Sequence, residues 1–152
     1  MLDDRLTEQR NPRSAEIDGF SALEIVDLIN SEDQLVAKAV SQQRIQIAKA
    51  IELVTEAFLK GGRLIYVGAG TSGRLGVLDA SEMPPTFGSE PELVQGIIAG
   101  GFSALVSSKE SEEDSPSRGS AEMDTYQVAP NDFVLGIAAS GTTPFVHGAL
   151  SR

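Results

Sequence analysis

The sequence predicts an α/β fold: a parallel, doubly wound sheet flanked by helices, incomplete here and preceded by an N-terminal helical extension. Three short and nearly continuous apolar runs predict the strands, because a strand buried on both faces has no polar side. They are Leu64–Val67, Leu93–Ile98 and Phe133–Ala138. Helical patterns alternate with these runs, as is typical of a parallel sheet. We expect the extension to cover residues 1–53 and the sheet domain residues 54–152.

Two capping-box patterns predict two helices in the extension. Ser21 stands three residues before Glu24, and Ser31 stands three residues before Gln34. We therefore expect one helix over about residues 22–30 and a longer one from Ser31 to the Gly61-Gly62 pair. An apolar stripe along one face of the longer helix favours core packing or a dimer seam over a cofactor role. Its members are Val36, Val40, Ile47, Ile51, Val54 and Phe58.

The helices of the sheet domain are predicted over about residues 73–82, 102–110 and 118–126. Pro84 and Pro85 predict that the first of these ends at Glu82, because proline disfavours a helical residue before it. Thr143 and Pro144 indicate the N-cap and first residue of one more helix. Three parallel strands make a small sheet, so we expect the chain to be a fragment of a longer protein.

Composition excludes several classes of protein. At 152 residues the chain can bury one domain core, and no apolar run approaches the roughly 20 residues of a membrane span. The polar N-terminus does not resemble a secretory signal, so we expect a cytoplasmic protein. The lack of cysteine excludes disulfides, thiol catalysis and thiolate metal sites. The net charge of −10 argues against nucleic acid and anionic membrane as partners.

A loop of glycine and hydroxyl residues after the first strand predicts an anion site. Gly70 and Gly73 allow backbone N–H groups to approach a ligand, and Thr71 and Ser72 add hydroxyl donors. The following helix contributes the positive end of its dipole. The loop lacks the Gly-Lys-Ser/Thr of a Walker loop and the acidic residue of a dinucleotide site. A glycine turn with only a steric role is the alternative.

A second loop of similar composition follows the third strand. It contains Ser140, Gly141, Thr142 and Thr143. Ligands of open parallel sheets lie beyond the carboxyl ends of the strands, so the two loops could converge on one ligand. Hydroxyl-rich loops without lysine fit a sugar phosphate better than a nucleotide with magnesium.

The carboxylates are less specific signals. Glu82 at a helix C-terminus would have a raised pKa, which suits a general acid, although a solvated terminal glutamate fits equally well. The acidic run Glu110, Glu112, Glu113 and Asp114 would raise its own pKa values by mutual repulsion, yet most such runs are solvated faces. His147 is the single histidine, and no GxSxG elbow supports a hydrolase triad. No motif supports a metal cluster.

The sequence as a whole resembles the N-acetylmuramic acid 6-phosphate etherase family. The block Gly68–Pro85 is the most specific part of the resemblance, far more so than a glycine loop alone. That block lies within a longer match from Arg63 to Gly88. The other matching segments are Thr7-Glu8, Arg10–Pro12, Ile17-Asp18, Ile29-Asn30, Glu32-Asp33, Ile98–Gly101, Glu113–Ser115 and Gly136–Val146.

The resemblance implies a sugar isomerase (SIS) fold, a phosphosugar substrate, a homodimer and no metal or organic cofactor. The family cleaves the D-lactyl ether of its substrate by elimination and then adds water, giving N-acetylglucosamine 6-phosphate and D-lactate. Glu82 corresponds to the family's general acid and Glu113 to its second catalytic glutamate. One strand–loop–helix unit would then hold the substrate at one end and protonate it from the other. The implied substrate-binding residues are Gly70, Thr71, Ser72, Gly73, Ser81, Ser140, Gly141, Thr142 and Thr143.

Two other functions fit the same loops. A non-catalytic sugar-phosphate sensor, as in glucokinase regulatory proteins, would need neither Glu82 nor Glu113. A sugar-phosphate isomerase of the same fold would lack the segment from Ala80 to Thr86. Many family members carry arginine where this chain has Thr142. Because the family's proteins are about twice this length, we expect the isolated chain to lack part of the site.

Overall fold

The computed structural model describes residues 5–109 and 111–152, so Glu110 of the acidic run lies outside the described residues. The chain divides into two compact units, one ending at Ile51 and the other beginning at Glu52. None of the helices in the described residues is both long and apolar enough to cross a membrane.

The first unit consists of short 3₁₀ turns followed by long helices. The turns cover Leu6–Glu8, Pro12–Ser14 and Ile17–Gly19, α1 covers Ala22–Gln42, and α2 begins at Arg44 and ends at Leu59 in the second unit. The predicted capping box at Ser21 is present: the Ser21 N–H donates to Glu24 Oε2 over 2.7 Å, and the Glu24 N–H donates to Ser21 Oγ. These reciprocal bonds satisfy donors that a helix start leaves without an intrahelical partner.

The predicted helix start at Ser31 is wrong. The helix runs through this residue, and the break between α1 and α2 comes at Gln43. Ser31 Oγ donates to the Leu28 carbonyl over 2.7 Å and accepts from the Arg13 guanidinium. A hydroxyl that bonds back into the preceding turn does not interrupt a helix, so the capping pattern had no effect here.

The second unit contains a three-stranded parallel sheet. Its strands are β1 (Leu64–Gly68), β2 (Val94–Ile98) and β3 (Phe133–Ile137), and β1 lies between the other two. Leu64 pairs with Val94 on one side and with Phe133 on the other. The three strands therefore end level with one another, which places the segments after them at one edge of the sheet.

The helices cover both faces of the sheet, as the sequence predicts. They are α3 (Gly70–Phe87), α4 (Ser103–Val106), α5 (Pro116–Thr125) and α6 (Pro144–Leu150). Alternate residues of β1 point to opposite faces. Ile65 and Val67 pack with Phe145, Val146 and Ala149 of α6 and with Met123 of α5. Leu64 packs with Ala80 of α3, and Val54 and Phe58 of α2 join the same cluster.

The predicted end of α3 at Glu82 is wrong. The helix continues through Pro84 and Pro85 to Phe87, where Gly88 caps it with φ +66° and donates its N–H to the Pro84 carbonyl over 2.8 Å. Two consecutive prolines remove two helical N–H donors, but they did not stop a helix that had already formed four turns. The other predicted helices occur with shifted ends, and α4 is much shorter than predicted.

Tyr66 connects the sheet to α3. Its hydroxyl donates to Asp79 Oδ2 over 2.7 Å. Partial burial, with the hydrogen bond to the Asp79 carboxylate and its charge, raises the pKa of Tyr66 to about 12. The hydroxyl therefore remains a donor over the whole physiological pH range and keeps this part of α3 against β1.

Asp132 joins the amino ends of β1 and β3. Its carboxylate accepts the backbone N–H of Arg63 over 2.8 Å, the Arg63 Nη2 over 2.6 Å and the Ala129 N–H over 2.9 Å. Only 3% of the Asp132 side chain is exposed. Burial by itself raises the pKa of Asp132, but the hydrogen bonds from Arg63 and Ala129 and the charge of Arg63 together lower it below its ordinary value.

We expect Asp132→Asn to destabilise the protein by about 2 kcal/mol at pH 7, because the partly buried Arg63 guanidinium loses its counter-charge and a charged hydrogen-bond acceptor. A lowered folded-state pKa means that the carboxylate stabilises the fold above about pH 4 and that this contribution is lost as the pH falls through the folded-state pKa. The variant should therefore lose less stability than the unaltered protein between pH 6 and pH 3, as measured by urea denaturation.

Asp124→Asn, which removes an exposed ion pair with Arg152, is the control and should change little. Equal midpoints for the two variants would contradict this role.

Candidate functional site

The first loop turns sharply from β1 into α3. Ala69 is extended, and Gly70 has φ +53°, a value that favours glycine. A Cβ on Gly68 would lie 2.6 Å from the Gly73 nitrogen, and a Cβ on Gly73 would lie 2.7 Å from the Gly68 oxygen. Only residues without side chains allow this approach. The N–H groups of the first turn of α3, which includes Thr71 and Ser72, therefore lie directly beyond the carboxyl end of β1.

The second loop is closed by its own hydrogen bonds. Ser140 Oγ lies 2.7 Å from Thr142 Oγ1 and accepts the Thr142 N–H over 3.2 Å. His147 Nε2 lies 2.8 Å from the Gly141 oxygen. Because a carbonyl only accepts hydrogen bonds, Nε2 carries the proton in this contact. Thr143 is the N-cap residue of α6 as predicted, but its side chain makes no capping bond.

The two loops begin side by side. Gly68, the last residue of β1, pairs with Ile137, the last residue of β3. The helix after β1 packs on one face of the sheet, and the helix after β3 packs on the other. A crevice opens where chain connections diverge in this way, and open α/β sheets bind ligands there.

Glu113 lies beside the first loop. It lines a cavity of about 160 Å³ together with Ala69, Gly70, Arg74, Ala99, Ser108 and Lys109. Its backbone oxygen accepts the Phe145 N–H over 2.9 Å, which ties the acidic segment to the start of α6. An exposed carboxylate held at the carboxyl edge of the sheet can take or give a proton at a ligand bound there.

Two basic residues of this cavity were missed by the sequence prediction. Arg74 donates Nη2 to the Ala104 oxygen over 2.7 Å and Nε to the Leu105 oxygen over 3.1 Å, so its charge lies against the end of α4. Lys109 is exposed at the same cavity. Arg74 directly follows the glycine and hydroxyl loop, so the sequence did contain a signal for a cation near this site. No sequence pattern predicted that Lys109 would lie at this cavity.

Glu112 corrects the expectation that the acidic run raises its own pKa values. Its carboxylate is bonded to the guanidinium of Arg118. That hydrogen bond, with smaller contributions from the charges of Arg118 and Lys109, outweighs partial burial and lowers the pKa of Glu112. The structure therefore separates neighbours of similar sequence: Glu112 is ion-paired, whereas Glu113 lines the cavity.

Glu82 and Ser81 do not lie near the loops of their own chain. Glu82 follows Gly70 by twelve residues of α3, which corresponds to about 18 Å along the helix axis. The side chain of Glu82 is exposed, and Ser81 Oγ donates to the Leu78 carbonyl over 2.7 Å. The expectation that one strand–loop–helix unit both holds and protonates a substrate is therefore not met within one copy.

Within residues 5–109 and 111–152, no three His, Asp or Glu side chains are grouped closely enough to hold a metal ion.

The sequence matches the family model of the glucokinase regulatory protein N-terminal SIS domain over residues 46–152. This match covers most of the chain and all of β1, β2 and β3. The chain belongs to this SIS-domain family. The predicted fold class is thereby confirmed, and both glycine and hydroxyl loops fall within the SIS-domain match.

Curated proteins that are not named as regulatory proteins are also similar to this chain. N-acetylmuramic acid 6-phosphate etherase of Crocosphaera subtropica is 57% identical over 96% of this chain and 48% of its own length. The proteins of the same name from Glaesserella parasuis and Actinobacillus pleuropneumoniae are each 56% identical, over 96% and 98% of this chain and 48% and 49% of their own lengths. The SIS-domain chain thus spans about half the length of the curated relatives it matches.

We expect Gly73→Ala to destabilise the SIS domain by about 1–3 kcal/mol, because the new methyl group would meet the Gly68 oxygen and Ile98 Cγ1, each at 2.7 Å. Urea denaturation followed by circular dichroism measures this change. Gly19→Ala is the matched control, since a Cβ there meets nothing within 4 Å. If Gly73→Ala were as stable as Gly19→Ala, the close approach of α3 to β1 would be wrong.

Proposed function

We propose that this chain carries the part of an N-acetylmuramic acid 6-phosphate etherase that holds the sugar phosphate and supplies both catalytic glutamates. The observation that carries the proposal is the position of Glu113, which lines one cavity with Gly70 of the anion loop. The identity of 56–57% to etherases over nearly the whole chain supports the same activity. We place the reaction in cytoplasmic recycling of cell-wall amino sugars on the resemblance alone.

The two loops hold the phosphate in this proposal. The first turn of α3 offers backbone N–H groups and a dipole that favours an anion, and the second loop adds hydroxyl donors. These short-range interactions act against a net charge of −10, which repels an anion at longer distances. The proposed substrate contacts within one copy are Gly70, Thr71, Ser72, Gly73, Ser140, Gly141, Thr142 and Thr143. Ser81, which adjoins Glu82, would contact the substrate from a second copy.

Glu113 is the proposed base. In the open-chain sugar, the aldehyde at C1 acidifies the proton on C2. Glu113 takes this proton, a double bond forms between C2 and C3, and the ether bond from C3 to the lactyl oxygen breaks. Water then adds at C3 while C2 regains a proton, which leaves N-acetylglucosamine 6-phosphate and D-lactate. The elimination and the hydration involve no oxidation or reduction, and neither step requires a cofactor.

Glu82 is the proposed acid that protonates the departing lactyl oxygen, and its position requires a second copy of the chain. The distance of about 18 Å from Gly70 exceeds the span from the phosphorus to C3 of one sugar phosphate. Leu75 and Leu78 are exposed on the same face of α3 as Glu82, at spacings of seven and four residues. An apolar face of this kind suits contact with another subunit, and a homodimer would bring Glu82 of one copy to the loops of the other.

Further exposed apolar side chains lie on the long helices of the first unit. Among them are Val36, Val40, Ile47 and Ile51 of the predicted stripe. Their exposure favours the dimer seam over core packing for this part of the stripe, which also supports a homodimer.

A non-catalytic sensor of sugar phosphates is the second candidate. The matching family model, which is named after a regulatory protein, favours it. A sensor would bind the sugar phosphate through the same loops without releasing D-lactate, and it would not depend on Glu82 or Glu113.

A lactate-release assay separates the two candidates. The protein to assay is this chain, alone and joined to the part of the Crocosphaera etherase that it does not match. We expect the joined protein to release D-lactate from N-acetylmuramic acid 6-phosphate, and Glu82→Gln and Glu113→Gln each to lower kcat by about 10²–10⁴-fold. Binding of N-acetylglucosamine 6-phosphate should survive both changes. Glu90→Gln, an exposed glutamate before β2, is the control. Binding without lactate release by the unaltered protein would instead support the sensor.

Mixing two inactive variants tests the contribution of the second copy. If each site uses Glu113 of one copy and Glu82 of the other, a dimer of one Glu82→Gln chain and one Glu113→Gln chain contains one intact site. Random exchange of subunits should then restore about a quarter of the unaltered activity, because half of the dimers are mixed. The measurement is lactate release after co-refolding equal amounts of both variants. No recovery of activity would mean that both glutamates act within one copy.

A further inference from the structure

The basic residues of the second unit are distributed unevenly. Four of its six lysines and arginines are ion-paired with carboxylates: Lys60 with Glu56, Arg63 with Asp132, Arg118 with Glu112, and Arg152 with Asp124. The other two are Arg74 and Lys109, which form no ion pair with any described residue. Both line the cavity that also contains Gly70 and Glu113. The second unit thus has both of its cations that lack such an ion pair at one small cavity beside the proposed base.

The substrate of the proposed function has two anionic groups. The phosphate is assigned to the glycine and hydroxyl loops. The second anion is the carboxylate of the lactyl group, which is attached through oxygen to C3. Because Glu113 acts on C2, the neighbouring carbon, the lactyl group must lie close to Glu113 while the ether bond breaks.

A carboxylate beside Glu113 needs a counter-charge. Two carboxylates at close range repel each other. Lys109 can supply a mobile ammonium donor, while Arg74 supplies a charge that its bonds to Ala104 and Leu105 keep in place. The cavity has a volume of about 160 Å³. It is large enough to admit the lactyl group, which has five non-hydrogen atoms beyond its ether oxygen.

We propose that this cavity binds the lactyl group of the substrate, with Lys109 bonding the carboxylate and Arg74 adding fixed positive charge. The inference rests on the proposed function and adds the residues that distinguish the substrate from its product. N-acetylglucosamine 6-phosphate has the phosphate but no lactyl carboxylate. Lys109 therefore contributes to the affinity for the substrate and not to the affinity for the sugar product.

Isothermal titration calorimetry of the joined protein, carrying Glu82→Gln so that the substrate is not consumed, tests the proposal with two ligands, N-acetylmuramic acid 6-phosphate and N-acetylglucosamine 6-phosphate. We expect Lys109→Met to weaken binding of N-acetylmuramic acid 6-phosphate about tenfold, because one charge-assisted hydrogen bond is lost. Binding of N-acetylglucosamine 6-phosphate should weaken less than twofold. Lys109→Arg should retain most of the affinity for the first. Lys60→Met removes the same charge from a lysine that is paired with Glu56 and should change neither affinity.

Three results would overturn the inference. Equal weakening of both ligands by Lys109→Met would show that the cavity holds the phosphate, and unchanged affinities would show that it holds neither anion. If the joined Glu82→Gln protein bound neither ligand, the proposed function would fail, and this inference would fail with it. The first two results leave the proposed function intact, so the two failures are distinguishable.

Discussion

The close approach of α3 to the sheet is the constraint on which the rest of the structure depends. Gly68 and Gly73 meet at a distance that no side chain permits, and a Cβ on Gly96 of β2 would lie 2.6 Å from Val77 of α3. The helix therefore begins directly beyond β1, and its first N–H groups lie at the carboxyl edge of the sheet. The cavity beside Glu113, which Gly70 of the first turn of α3 also lines, follows from that placement.

Charge is arranged by position in this acidic protein. In the second unit, carboxylates pair with four of the six basic side chains, as Asp132 does with Arg63 and Asp124 does with Arg152. Arg74 and Lys109 remain at the carboxyl edge. A local positive field can persist there despite the net charge of −10, because the interaction of exposed charges falls off within about 10 Å at moderate ionic strength.

Local sequence patterns predicted the structure correctly where the result depends on one strand or one helix end alone. The three apolar runs became strands within one residue of their predicted ends, and the capping box at Ser21 formed because nothing else competes for its groups. The same pattern failed at Ser31, where the hydroxyl bonds Leu28 and Arg13 instead. The proline pair failed to end α3 because a packed helix tolerates the loss of two donors. A capping or stopping signal is only a preference, and neighbouring contacts can outweigh it.

The sequence by itself determined the parallel sheet, the two hydroxyl loops and the family to which the chain belongs, since each depends on residues that are neighbours along the chain. Only the tertiary structure decided which carboxylates and cations share a cavity. Glu112 and Glu113 are indistinguishable by pattern, yet one is paired with Arg118 and the other lies beside Gly70. Likewise, the rise of α3 carries Glu82 away from the loop that begins the same helix. Distances across the fold depend on how the helices and strands pack, so they cannot be read from spacing along the chain.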